Sequence, residues 1–317
     1  MNSNLFWIWL ASIEGVSLNA KAEIIDVFGN AENAWSAKPG TFFNIEGVSD
    51  REAEILEKRD LNRANEIISL CNALNIRIIT IDDKEYPQSL KDIFAPPYAL
   101  YMRGRVPDFS DISPVAVIGT RKASPYGLKM GKSIAYELCR CGAAVVSGLT
   151  AGIDAAAAEG ALSAGGRVIG ILGTPIDAAK SELALKVREE GTLISEYAPG
   201  THQKKYFFRE RNRIAAGISS GVVVVEAPEK SGTRLFVAEA LEQGKQIFAL
   251  PGNADSENSA GTLKLIKEGA LLVTHGWEVA EELSLYAPKG NLNIKIRETF
   301  PEKTEELFPT GIKPRKK

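Results

Sequence analysis

The stretch HQKKYFFRERNRIAAG, residues 202–217, sets Lys204, Lys205, Arg209, Arg211 and Arg213 around Phe207 and Phe208, leading into what reads as a helix. Cations contact phosphates and aromatic rings stack on unpaired bases, which is how proteins hold single-stranded nucleic acid. The five cations less Glu210 give this window +4, and since the 317-residue chain carries −2, the remainder carries −6. The positive charge is local. That argues against a whole-surface nucleic-acid binder and permits a focused groove. The alternative is that the rings belong to the core and the arginines brace carboxylates. Adjacent side chains seldom share an environment, so one of Phe207 and Phe208 is expected inside, and Arg211 or Arg213 could brace against Glu196 or Glu226.

Such a cluster needs a scaffold. IRIITI (76–81) reads as a strand, and DKEYPQSLKDI with Pro96–Pro97 as a connector that ends at YALYMRG. From Val115 onward, VAVIG, AAVVSG, GRVIGIL, TLISE, GVVVVEA, KQIFALPG and ALLVTHG alternate with helical stretches. Short apolar runs that each lead through Gly, Ser or Thr into a helix predict a mostly parallel sheet covered on both faces. The fold class is therefore α/β, a Rossmann-like doubly wound sheet. Residues 1–75 read as a small all-α domain preceding it, residues 76–285 as the α/β domain with its lead-in, and 286–317 as a tail in which NLNIKIR could add an edge strand.

Doubly wound sheets bind ligands beyond the carboxyl ends of their strands, where helix N-termini aim N–H groups at an anion. Four loops are placed to do so: GTRKASPYG (119–127), SGLTAGIDAAA (147–157), EAPEKSGT (226–233) and LPGNADSENSAG (250–261). Asp154 and Glu226 read as a helix cap and a strand-end acceptor. There is no Walker A lysine pattern and no G-x-G-x-x-G, so neither ATP nor NAD is implied and no cofactor is expected. Any one glycine could simply make a tight turn; four such loops on one edge, beside a +4 segment, favour an anionic ligand.

The pentapeptide IEGVS occurs twice, at 13–17 and 45–49. Its pattern resembles a helix-hairpin-helix or SAM-like unit, in which glycine admits a phosphate. The alternative is a plain helical bundle with glycine at helix ends, and Glu14 and Glu46, which put negative charge in both turns, favour it. Cys71, Cys139 and Cys141 make no zinc or disulfide framework. The apolar start MNSNLFWIWL lacks a basic lead, and no run approaches the ~20 residues that cross a bilayer. A cytoplasmic protein is expected.

The order VAVIGTRKASPYG, VVSGLTAGIDAAAAEGAL, LISEYAPGT, FFRERNRIAAGIS, VVVVEA, SGT, LIKEGA resembles the DNA-processing protein A (DprA/Smf) family over about 115–283, with IRIITIDDKEYPQSLKDIFAPPYALYMRG similar to its lead-in. The resemblance implies a homodimer that binds single-stranded DNA without catalysis, protects incoming strands in natural transformation and helps load a RecA-type recombinase. It implies that Arg121 and Lys205 contact phosphates, that Phe208 stacks a base, and that Arg211 and Asn212 form the family's RN pair. Gly119, Thr120, Ser147, Gly148, Gly152, Lys204, Ser231 and Gly232 complete the expected DNA-binding set. The chain departs from the family pattern at Arg209, where proline is usual, at Val237-Ala238, at Leu263 and in TPIDAAKS, and no winged-helix domain is evident after residue 285. The rival is a nucleotide sensor or a phosphoribohydrolase-like enzyme. That enzyme's P-G-G-x-G-T-x-x-E would need a carboxylate where SGTRLFVAE has Phe236, with Glu239 a turn away, so acid–base chemistry at a ribose lacks its agent.

Overall fold

The computed structural model describes residues 3–285; the NLNIKIR segment and the rest of the tail lie outside the described residues. Five helices come first: α1 (Ser3–Ser12), α2 (Leu18–Phe28), α3 (Ala31–Trp35), α4 (Asp50–Glu57) and α5 (Asn62–Ala73). Their boundaries follow from capping. The Ser17 hydroxyl accepts from the Ala20 N–H to start α2, and Gly29, at φ 77°, ends it in the left-handed conformation that glycine adopts at least cost.

The two IEGVS turns are closed by one carboxylate. Glu52 in α4 accepts from the backbone N–H of Ser17 at 2.8 Å and from that of Ser49 at 3.0 Å, and also from the Ser49 hydroxyl at 2.6 Å. Partial burial alone would raise its pKa, but these hydrogen bonds outweigh it and hold the carboxyl down at about 2. The Ser17 and Ser49 N–H groups at these turns are thus taken up by a side chain. Because the folded pKa lies below the unfolded one, the stabilisation is complete above about pH 4.5 and is lost as pH falls toward 2. Glu52→Ala should cost about 1–2 kcal/mol at neutral pH, and the gap from wild type should close near pH 2; denaturant melts across that range measure it.

The sheet has nine strands: β1 (Arg77–Thr80), β2 (Ala99–Gly104), β3 (Ser113–Ile118), β4 (Ala143–Ser147), β5 (Val168–Ile171), β6 (Thr192–Ser195), β7 (Gly221–Val224), β8 (Gln246–Ala249) and β9 (Leu271–Leu272). Their order is β1-β2-β6-β5-β4-β3-β7-β8-β9. From β6 to β9 every pairing is parallel, whereas β2 runs antiparallel to β6 and to β1. YALYMRG, expected to end a connector, therefore forms a strand that joins the lead-in to the parallel sheet.

Alternation along the strands builds two cores. Val115, Val117, Val145, Val168, Leu193 and Val223 face one side. Ala116, Ile118, Val146, Ile169, Ile194 and Val224 face the other. The first core continues into the N-terminal helices through Phe6, Trp7, Leu10 and Ile24. Trp7 stacks on Tyr98 with ring centroids 5.4 Å apart, and the Tyr98 hydroxyl donates to the Lys21 carbonyl. The second core takes α9 (Phe207–Ile218) and α10 (Gly232–Glu242). The helices α6 (Pro125–Arg140), α7 (Ile153–Ser163), α8 (Glu182–Glu190), α11 (Glu257–Lys267) and α12 (Gly276–Glu282) complete the wrapping. All these elements belong to one compact unit. No helix among the described residues is long and apolar enough to cross a membrane.

Candidate nucleic-acid interface

Strand β3 is the switch point, with β4 on one side and β7 on the other. The residues expected to bind DNA lie at the carboxyl end of β4, in the loops beyond β3, β4, β6 and β7, and in α9 and the start of α10.

The loop after β3 is fixed from beneath by the buried Glu226. Its carboxylate accepts from the Ser124 hydroxyl at 2.5 Å and from the Ser124 N–H at 2.9 Å, and its carbonyl accepts from the Thr120 N–H. The Asn258 amide, from the fourth loop, donates to the Lys122 carbonyl at 3.0 Å. Ser124 caps α6, with Pro125 in the first turn where its missing N–H costs nothing. The reading of Glu226 as a strand-end acceptor fits this geometry. The loop after β4 is pressed against the first: Gly152 has φ 86°, and a methyl group there would meet the Thr120 carbonyl.

Asp154 is more than a cap for its own helix. It accepts from the Gly119 N–H and, at 3.0 Å, from the Thr150 hydroxyl. Burial raises its pKa, and the Arg211 guanidinium opposes that rise. Arg211 is itself buried, 6% exposed, and donates to the Ile171 carbonyl at 2.7 Å. Gly148 sits over both groups; a methyl group on it would collide with the Arg211 guanidinium and the Asp154 carboxylate.

These contacts correct several expectations. Arg211 and Asn212, 6% and 8% exposed, lie beneath the surface, where Arg211 donates to the end of β5. Ser147 and Thr120 are buried too: the Ser147 hydroxyl donates to the Asp154 carbonyl and accepts from the Leu149 N–H, while the Thr120 hydroxyl accepts from the Lys122 N–H. Of the backbone donors expected to meet phosphate, those of Gly119, Thr120, Lys122 and Ser124 are taken up within the protein. The reason is common to all: loops this closely packed must satisfy their own polar groups.

At the surface, Arg121 and Lys205 are exposed and have no ion pair among the described residues. The Arg121 guanidinium stands 5.7 Å from the centroid of the half-buried Phe208 ring. Gly173, after β5, gives Phe208 its seat, since a Cβ there would come within 2.8 Å of the ring. Phe207 is the buried member of the pair, 4% exposed, and stacks on Tyr197 with ring centroids 3.5 Å apart. Ser231 precedes α10 with a buried, unpartnered hydroxyl, and Gly232 is exposed beside it.

Two further cations of the +4 window are paired with carboxylates. Arg213 pairs with Glu196 at 2.5 Å, one of the two bracings the sequence allows, and Lys204 pairs with Glu14 at 3.2 Å. The sequence gives no sign of the Glu14 contact, because it joins residues 190 positions apart. Behind this segment lies a cavity of about 490 Å³, lined in part by Lys21, Tyr101, Tyr206 and Glu210. Burial pulls the Lys21 pKa down to about 8 and pushes that of Glu210 up. Phe236, at the position the phosphoribohydrolase reading needs as a carboxylate, is packed in the second core.

A mostly parallel, doubly wound sheet covered by helices, with a cation and an aromatic ring at its switch-point edge, defines the class, an α/β protein of Rossmann-like fold. Residues 77–284 match the family model for DNA recombination-mediator protein A, and the chain belongs to that family. Protein Smf of Synechocystis is 33% identical over 276 residues, 84% of this chain and 69% of its own length. DNA processing protein DprA of Bacillus subtilis is 36% identical, covering 66% of this chain and 71% of its own. Among solved structures, DprA from Streptococcus pneumoniae superposes with a TM-score of 0.76 at 30% identity, over 88% of this chain and 97% of that one. DNA processing protein A from Helicobacter pylori, solved for insight into its single-stranded DNA binding mode, gives 0.59 at 27% identity, over 66% of this chain and 96% of that one. The family places this chain in DNA processing.

Proposed function

We propose that the chain binds single-stranded DNA across the carboxyl edge of β3, β4 and β6, shields incoming strands during transformation and presents them to a RecA-type recombinase. It acts as a cytoplasmic homodimer and catalyses no step. The observation that carries this reading is the Arg121 guanidinium above a half-exposed Phe208 ring, with Lys205, three residues earlier in the chain, exposed and without an ion pair among the described residues. A base stacked on that ring would be held with its phosphates between two unengaged cations, and such stacking contributes roughly 1–3 kcal/mol per base. Family membership and the binding mode studied in the Helicobacter pylori relative support it.

Fluorescence anisotropy with labelled single- and double-stranded oligonucleotides tests it. Tighter binding to the single strand, weakening as salt rises, is the expected result. Equal affinity for both, or no binding at low salt, would remove the reading. Release of adenine from AMP in a parallel incubation would point to the enzyme instead.

A further inference from the structure

The segment before Phe208 carries a second aromatic ring that the binding scheme leaves unused. Tyr206 is 51% exposed, in sharp contrast to Phe207 beside it. Its ring stands edge-on to Phe207, with centroids 5.0 Å apart and planes at 90°. Phe207 is in turn fixed by its stack on Tyr197, whose hydroxyl donates to Glu210 at 2.8 Å. Tyr206 is therefore held by a buried aromatic support while much of its own ring meets solvent. The Lys204 ammonium lies 6.0 Å from the Tyr206 centroid and also pairs with Glu14 in the first IEGVS turn.

We infer that Tyr206 and Lys204 form a second nucleotide subsite next to the Phe208 site, in which Tyr206 stacks a neighbouring base of the same strand and Lys204 exchanges the Glu14 carboxylate for a phosphate. This rests on the single-strand reading above. Three features support it. Residues 206 and 208 flank a buried residue, so the two rings are separate platforms on one short segment. An exposed ring with an ammonium near its face is the combination that holds unpaired nucleotides. Glu14 already offers Lys204 an anionic oxygen at 3.2 Å, the kind of partner a phosphate would supply. The pair is partly exposed, so the exchange costs little: surface ion pairs contribute about 0–1 kcal/mol. The IEGVS turn thereby becomes a wall of the DNA face, acting through its carboxylate and not through a glycine-bound phosphate.

The test compares single-strand affinity in Tyr206→Leu, Phe208→Leu, Glu14→Gln, Lys204→Gln and the Glu14→Gln/Lys204→Gln double variant, each checked by thermal melt. Tyr206→Leu should weaken binding roughly 5- to 150-fold, the fold-change equivalent to the loss of one stacked base. Glu14→Gln should tighten binding about two- to five-fold at low salt, up to what one weak surface pair holds back, and should do nothing in the Lys204→Gln background. The inference is overturned if Tyr206→Leu binds like wild type while Phe208→Leu does not, a result that leaves the Phe208 reading standing. It is also overturned if Glu14→Gln tightens binding equally without Lys204, which would mark a general charge effect. If neither ring matters, both readings fall together.

Discussion

The Arg121→Ala/Lys205→Ala variant should lose at least ~100-fold in affinity for a single-stranded oligonucleotide while unfolding at the wild-type temperature. Two charge-assisted contacts to phosphate contribute about 1.5–3 kcal/mol each. Both side chains are exposed and without an ion pair among the described residues, so their removal costs the fold little beyond the surface cation–π contact of Arg121 with Phe208, about 0.5–1 kcal/mol. The salt dependence separates this from a general loss of charge. Each neutralised phosphate on a single strand contributes about 0.7 to the slope of log K against log salt, so the slope should flatten by about 1.4. Arg209 supplies the control: it is also exposed and lies in the same segment as Lys205, yet it makes no ring contact like that of Arg121 among the described residues. Arg209→Ala should change affinity far less. An unchanged affinity in the double variant would place the strand elsewhere on the protein.

The cationic window shows what the sequence could and could not reveal. Its charge excess and its aromatic pair were legible, and so was the burial of one of the two rings. Which cations face outward was not, because that depends on carboxylates contributed by distant loops. Glu14, Glu196 and Asp154 engage or balance three of the five positive groups, and one of these, Arg211, lies beneath a glycine that follows another strand. The strand-end loops were legible as glycine-rich turns, but their satisfaction was not. Four backbone donors read as free for phosphate prove to be internal bonds, to Glu226, to Asp154 and to Thr120 of the same loop, since closely packed loops must satisfy their own polar groups. In the sheet, seven parallel strands could be read from apolar runs that lead into helices. YALYMRG escaped as a strand because its aromatic and sulfur-containing run follows Pro96–Pro97 and ends at Arg103-Gly104, with no helix after it. Glu52 closes the second IEGVS turn as the local S-x-x-E capping box with Ser49, but its reach to the Ser17 N–H of the first turn is a tertiary relation that no local pattern encodes.

Asp154→Asn should be among the most destabilising single changes, at about 3–5 kcal/mol, the usual cost of leaving a buried charge without its counter-charge. Arg211 would be the stranded group. Its guanidinium is buried, bonds the Ile171 carbonyl through one nitrogen, leaves Nε without a partner, and cannot shed its proton at neutral pH. Arg211→Met should cost less, because the group it leaves behind can adapt: Asp154 can take up a proton and become neutral. The sign of the pH response follows. Burial already lifts the folded Asp154 pKa above its ordinary value, and removing Arg211 lifts it further. The folded state then holds the proton more tightly than the unfolded one, so the deficit of Arg211→Met is greatest at neutral pH and shrinks as pH falls toward the unfolded carboxyl pKa of about 3.9. Asp154→Asn has no such escape on the acid side. The double variant Asp154→Asn/Arg211→Met should recover much of the loss, giving a coupling of about 1–3 kcal/mol in a thermodynamic cycle. Additive losses would mean that the two groups stabilise the loops independently. A strong coupling would instead show that the strand-end loops depend on a charge balance set beneath them, directly under Gly148, where a side chain would collide with both charged groups.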